Sequence, residues 1–157
     1  MTKITLRIQA GVFDAAEEAT LLTQGRKDLG AVVTFTGLCR DEGGTLAALE
    51  IEHYPGMAED EISRVITEAT SRWPLDGVTV IHRYGKILPG EPIVLVVTTG
   101  LHRKEAFEAA SFLMDYLKTR APFWKKQHNA DGTSGEWVAA KADDDAAAQR
   151  WENESTS

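Results

Sequence analysis

Between residues 102 and 126 the sequence gathers Arg103, Lys104, Lys118, Arg120, Lys125 and Lys126 against Glu105, Glu108 and Asp115, so this stretch is net positive. The chain around it is acidic, with 17 Lys plus Arg against 24 Asp plus Glu and a formal net charge of −7 at pH 7. A local reversal of sign suits a phosphate or carboxylate ligand, because a guanidinium offers a planar fork of donors and an ammonium a compact charge. A solvated helix face has the same composition, so charge alone leaves both readings open.

Within the stretch, Ala106, Ala110, Leu113, Met114 and Leu117 recur at helical spacing. At 100° per residue, Lys118 falls roughly 80° from the centre of that apolar stripe, at its edge and one turn beyond Met114. Its stem can pack while its ammonium reaches a cleft. A lysine of ordinary pKa, about 10.4, is charged at pH 7 and suits charge stabilisation as it stands, whereas base catalysis requires a lowered value. Phe123-Trp124-Lys125-Lys126 follows the helix-ending Pro122 and interleaves rings with cations. That pattern can hold a flat heterocycle beside an anionic group, and core packing accounts for the rings equally well. His102-Arg103 opens the helix after Thr98-Thr99-Gly100, where backbone N–H groups favour an anion; ordinary helix-start polarity is the competing reading.

The four histidines, His53, His82, His102 and His128, lie at least 20 positions apart, so none has local metal-ligand spacing. Apart from His102 they read as structural or exposed. Cys39 is the single cysteine, which excludes an intrachain disulfide and reads as a packed thiol behind an apolar strand. Glycine-rich phosphate loops and the GxSxG nucleophile elbow are absent. The acidic balance argues against sequence-independent binding to nucleic acid or anionic membrane, and residues 123–126 form no RNP-like motif. No run approaches the ~18 apolar residues of a membrane span, and the N-terminus alternates polar and apolar residues instead of forming a signal core. A cytoplasmic protein is expected.

A chain of 157 residues has room for one domain to position these groups. Ile4, Leu6 and Ile8 alternate with polar residues as in a half-buried strand, and Asp14 with Glu17 opens a helix that Gly25 ends. Runs at 30–37 and 45–54 flank Gly43-Gly44 and predict a hairpin with Arg40 near its tip. Ile62, Val65, Ile66, Ala69 and Trp73 predict an amphipathic helix over 57–73, stopped by Pro74. Strands are expected at 78–83 and 93–98, the second central, followed by the longest helix over 102–120. A late hairpin of 123–128 with 136–140 and a short helix over 143–151 complete an α+β order. Residues 1–151 are expected to form the single domain, with 152–157 a disordered tail.

Taken in order, Gly30-Ala31-Val32-Val33-Thr34-Phe35-Thr36-Gly37, Glu52-His53-Tyr54-Pro55-Gly56-Met57, Ile81-His82-Arg83-Tyr84-Gly85 and Leu117-Lys118-Thr119-Arg120-Ala121-Pro122-Phe123-Trp124-Lys125-Lys126 closely resemble the molybdopterin synthase catalytic-subunit family. The resemblance implies an α/β-hammerhead fold with an additional antiparallel β subdomain, and a homodimer within a heterotetramer. Each large subunit would bind a small ubiquitin-like sulfur carrier ending in a Gly-Gly thiocarboxylate. The implied reaction adds two sulfurs to cyclic pyranopterin monophosphate (precursor Z) to make molybdopterin, with no metal or separate cofactor. By motif, Lys118 would lie beside the thiocarboxylate and assist transfer, while Lys125 would contact substrate and stabilise developing charge. Arg40, His102 and Arg103 would bind the pterin phosphate, Lys126 and Gln127 would occupy further substrate positions, and Phe35 would shape the pocket. Part of the site would come from across the dimer.

The sequence departs from the family pattern at several points. Gln127 stands where Glu is common, Lys141 where Arg is usual, Leu38-Cys39 where Lys-Val is usual, and Thr133-Ser134-Gly135 lengthen a turn. Gln127 cannot supply a carboxylate but can still hydrogen-bond. It is the sequence argument for a second reading, a non-catalytic module that holds a ubiquitin-like tail or phosphate metabolite in the same cleft. Single-stranded nucleic-acid binding through residues 123–126 is a third, marked by steep salt dependence.

Overall fold

The structure, a computed structural model, describes residues 2–139 and 142–155. In chain order its elements are β1 (Lys3–Gln9), α1 (Ala15–Thr23), β2 (Ala31–Leu38), β3 (Leu46–His53), α2 (Met57–Arg72), β4 (Leu75–Arg83), β5 (Gly85–Ile87), β6 (Pro92–Gly100), α3 (Arg103–Thr119), β7 (Phe123–Asn129) and α4 (Ala142–Ser155). The strands form two sheets, β1-β4-β6-β2 and the antiparallel β5-β3-β7. The α+β class and the separate antiparallel β unit are as expected. No helix among the described residues is long and apolar enough to cross a membrane.

Alternation along β4 and β6 decides what covers each face of the larger sheet. Val78, Val80, Val94 and Val96 point into the main core with Ile62, Val65 and Ile66 of α2 and Phe112 and Leu113 of α3. Ile81, Leu95 and Val97 point the other way, onto Leu22 of α1. Helix α1 starts where Asp14 accepts a 3.1 Å hydrogen bond from the Glu17 backbone N–H, satisfying an otherwise orphaned donor. Helix α3 runs between the expected limits, with His102 as N-cap and Arg120 as C-cap. Its apolar stripe is wider than the spacing alone shows, since Phe112 and Tyr116 are also fully buried.

Two expectations are corrected. The runs at 30–37 and 45–54 do not form a hairpin: β2 pairs with β6 at the edge of the larger sheet, while β3 pairs with β5 and β7. A register shift at Gly37/Leu38 turns the chain out of the sheet, and Cys39 is then held against the 88–91 turn by Cys39 N–H to Glu91 O (2.8 Å) and Gly90 N–H to Cys39 O (2.7 Å). A 3-10 turn at Glu42–Gly44, with Gly43 at φ 78°, delivers β3 to the second sheet. The late hairpin is only half regular. β7 forms, but its return is reduced to the isolated bridges Lys125↔Val138 and His128↔Ser134, because the returning residues have no second core to bury and Trp137 and Val138 stay exposed. At the other end of the chain, α4 runs to Ser155. Trp151 is buried against Trp73 and Phe112 and donates its indole N–H to Asp115 (2.6 Å), and α4 continues so that Glu152 pairs with Arg120 at 2.8 Å.

Candidate active site

Strand β7 sets most of the site through its pleat. Successive side chains of a strand point to opposite faces, so Phe123, Lys125 and Gln127 share one face while Trp124, Lys126 and His128 share the other. The first three line a cavity of about 630 Å³. The second three face away: Trp124 packs edge-on to Tyr54, Lys126 lies with its Nζ 5.6 Å from the Trp137 ring centroid, and His128 bridges Glu50 and Ser134 at 2.9 Å each.

The last turns of α3 supply the opposite wall. Met114, Leu117 and Lys118 line the cavity, with Lys118 at the exposed edge of the helix stripe, the position its angular offset predicts. Phe35 and Gly37 of β2 and Ile93 and Val94 of β6 close a further side. Gly37 is required there, since a Cβ would sit 2.7 Å from Val94 Cγ1.

His82 of β4, which sequence reasoning grouped with structural or exposed histidines, also lines the cavity. It is only 6% exposed, stacks on Phe123 at 3.8 Å with a 12° interplanar angle, and has Nδ1 2.8 Å from the Arg83 carbonyl. Burial lowers its pKa from 6.5 to about 4, and the nearby Lys125, His53 and Lys118 push it the same way. A usable signal was present in the sequence, because His82 follows Val78 and Val80 at period two and so falls on the core face of its strand.

One chain therefore brings Phe35, Lys118, Lys125 and Gln127 to a common cavity. Arg40 lies exposed just beyond β2, outside the cavity lining. His102 and Arg103 are exposed at the far end of α3, and at 1.5 Å per residue the helix separates Arg103 from Lys118 by about 22 Å. Lys141 lies outside the described residues. Cys39 is 3% exposed and its thiol pKa is raised by burial, as suits a packed side chain. Among the described residues, no group of three or more His, Cys, Asp or Glu is arranged to hold a metal ion.

Comparison with known proteins resolves the family. Residues 8–120 match the family described as MoaE protein. The chain belongs to the MoaE family. A Mesorhizobium japonicum molybdopterin synthase catalytic subunit is 66% identical over 151 residues, covering 96% of this chain and 95% of that protein. The Brucella melitensis protein of the same name is 59% identical over 149 residues, covering 95% and 91%. Among solved structures, the molybdopterin biosynthesis MoaE protein from Burkholderia ambifaria superposes with a TM-score of 0.81 at 44% identity, over 97% of this chain and 99% of that one. As a MoaE protein the chain is an enzyme of molybdopterin biosynthesis, which sets aside the non-catalytic binding module. The MoaE match ends at Arg120, just past α3, while the longer alignments reach across β7 and so include Lys125.

Proposed function

We propose that the chain transfers sulfur to a phosphorylated pterin, converting cyclic pyranopterin monophosphate to molybdopterin with two sulfurs taken from the thiocarboxylated Gly-Gly end of a small ubiquitin-like carrier. The observation that carries this reading is the meeting of Lys118 from α3 and Lys125 from β7 on one cavity of about 630 Å³, in a chain of this family. That size is ordinary for a small-molecule site, about 300–1,000 Å³.

In the step that opens the cyclic phosphate, the thiocarboxylate sulfur attacks a side-chain carbon of the pterin. A C–S bond forms, the C–O bond to phosphate breaks, and the electron pair leaves as negative charge on the phosphate oxygen. Ammonium groups already fixed at the cavity stabilise that charge without reorganising. Water then attacks the carrier's acyl carbon, the thioester C–S bond breaks, sulfur stays on the pterin and the carrier departs as a carboxylate. A second loaded carrier attacks the neighbouring side-chain carbon: a C–S bond forms, that carbon's C–O bond breaks with the oxygen leaving as water, and hydrolysis of the thioester again frees the carrier as a carboxylate. Lys118 stands beside the thiocarboxylate and Lys125 at the substrate, while Phe35 and Gln127 shape and hydrogen-bond the pocket. Arg40, His102 and Arg103 serve the substrate phosphate from a second copy, because α3 holds the last two too far from Lys118 of their own chain. Lys126 acts from outside the cavity lining. The assembly is a homodimer of this chain with one carrier on each copy, and a reducing cytoplasm suits both the thiocarboxylate and the free Cys39.

Reconstitution tests the reading. With thiocarboxylated carrier and cyclic pyranopterin monophosphate, Lys118→Ala is expected to slow dithiolene formation by about a hundredfold or more, the range seen when one charge-stabilising donor is removed. An unchanged rate would defeat the assignment.

A further inference from the structure

His82 lies in the cavity wall, yet the sulfur-transfer chemistry as drawn uses only lysines. Three observations fix what it offers. Nδ1 faces the Arg83 carbonyl at 2.8 Å, and a carbonyl only accepts, so Nδ1 carries the proton and Nε2 is left with a lone pair. The ring lies flat on Phe123, which is one pleat repeat from Lys125 on the same face of β7. β4 and β7 belong to different sheets, so the stack ties the two sheets together at the cavity.

Around the imidazole, only the Nδ1 hydrogen bond to the Arg83 carbonyl favours the charged ring, and the other groups oppose it. Lys125 of β7, Lys118 of α3 and His53 of β3 all act on His82 electrostatically and all disfavour its charged form, and Glu136 of the returning segment lines the same cavity. Burial is the largest influence in the same direction. A neutral imidazole lining the same cavity as Lys118 and Lys125 offers that cavity an acceptor, whereas a charged one would add a third cation.

Building on the reading of this cavity as the sulfur-transfer site, we propose that His82 is a positioning residue that acts through Lys125: the stack on Phe123 holds the imidazole at the cavity wall, and its Nε2 accepts a hydrogen bond from the lysine ammonium during turnover. The arrangement costs the site no charge and restricts a flexible four-carbon side chain to one orientation.

A double-mutant cycle on the reconstituted complex tests this, with thiocarboxylated carrier and cyclic pyranopterin monophosphate as substrates. His82→Phe keeps an aromatic ring to stack and removes the acceptor; it is expected to lower kcat by about tenfold, the worth of one hydrogen bond, with KM unchanged. His82→Gln places a carbonyl near the Nε2 position and is expected to stay within about threefold of wild type. His82→Asn, too short to reach, carries the same expectation as His82→Phe and serves if the phenylalanine variant does not fold. In a Lys125→Ala background the His82 substitutions are expected to cost almost nothing further. Wild-type kcat in both His82→Phe and His82→Asn, or the same tenfold loss in the Lys125→Ala background, would overturn the proposal. A Lys125→Ala enzyme of full activity would instead overturn the reading of the cavity on which it rests.

Discussion

His82 ties acid stability to the cavity wall. Its folded pKa, about 4, lies below the ordinary 6.5, so between these values the unfolded chain binds the proton and the folded chain does not. Stability therefore rises with pH across this window: the contribution of a neutral His82 is complete above pH 6.5 and is lost as pH falls through 4. Moving the pKa that far is worth about 3 kcal/mol in all, and about 2 kcal/mol of it is spent between pH 7.5 and pH 5. The ring is 6% exposed, so solvent screening removes little of this. The measurement is urea unfolding at a series of pH values for wild type and His82→Gln, followed by circular dichroism. The variant loses the stack and starts less stable, but that offset is constant, and every other titratable group is common to both proteins. The difference between the two stability curves is expected to narrow by about 2 kcal/mol from pH 7.5 to pH 5. Parallel curves over that range would show that His82 is not held neutral by the fold, and the account of its tautomer would fail with it.

The pleat of β7 separates neighbouring lysines, so Lys125→Ala is expected to reduce sulfur transfer by about a hundredfold while Lys126→Ala stays within a few-fold; comparable losses in the reconstituted assay would contradict the assignment of faces. Trp151→Ala removes the ring packed on Trp73 and Phe112 and leaves Asp115 without its indole donor, a loss of about 3–5 kcal/mol by denaturant unfolding, whereas an unstructured C-terminal segment would give no change. A Cβ at Gly30 would lie 2.0 Å from the Leu101 carbonyl oxygen, so Gly30→Ala is expected to cost about 3 kcal/mol or more in the same measurement.

How far the sequence reached depended on whether a single element settled the question. Helix α3 is a local matter: a seventeen-residue stripe with Pro122 beyond it fixes its limits and puts Lys118 at the edge of the buried face. The pairing of β2 is not local. Eight residues with one apolar face fit equally well against β3 or β6, and the choice falls to the shift at Gly37 and the backbone bonds of Cys39 to the 88–91 turn, which no pattern within the strand encodes. Lys125 and Lys126 are indistinguishable by composition and separate once β7 is known to be a strand. His82 was readable by period-two counting but is overshadowed by the more conspicuous cations. Past Trp151, α4 brings Glu152 to Arg120, a partner thirty-two positions away that no local pattern reveals.

Helix α3 holds Lys118 at one end and Arg103 at the other, and a stiff rod does not let them approach. In a symmetric pair of chains that exchange these ends, each chamber would draw its lysine from one molecule and its arginine from the mate. Two kinds of dead subunit, one damaged at each end, would then be mutually curative: mixing them would gather both lesions into one chamber and leave the other whole.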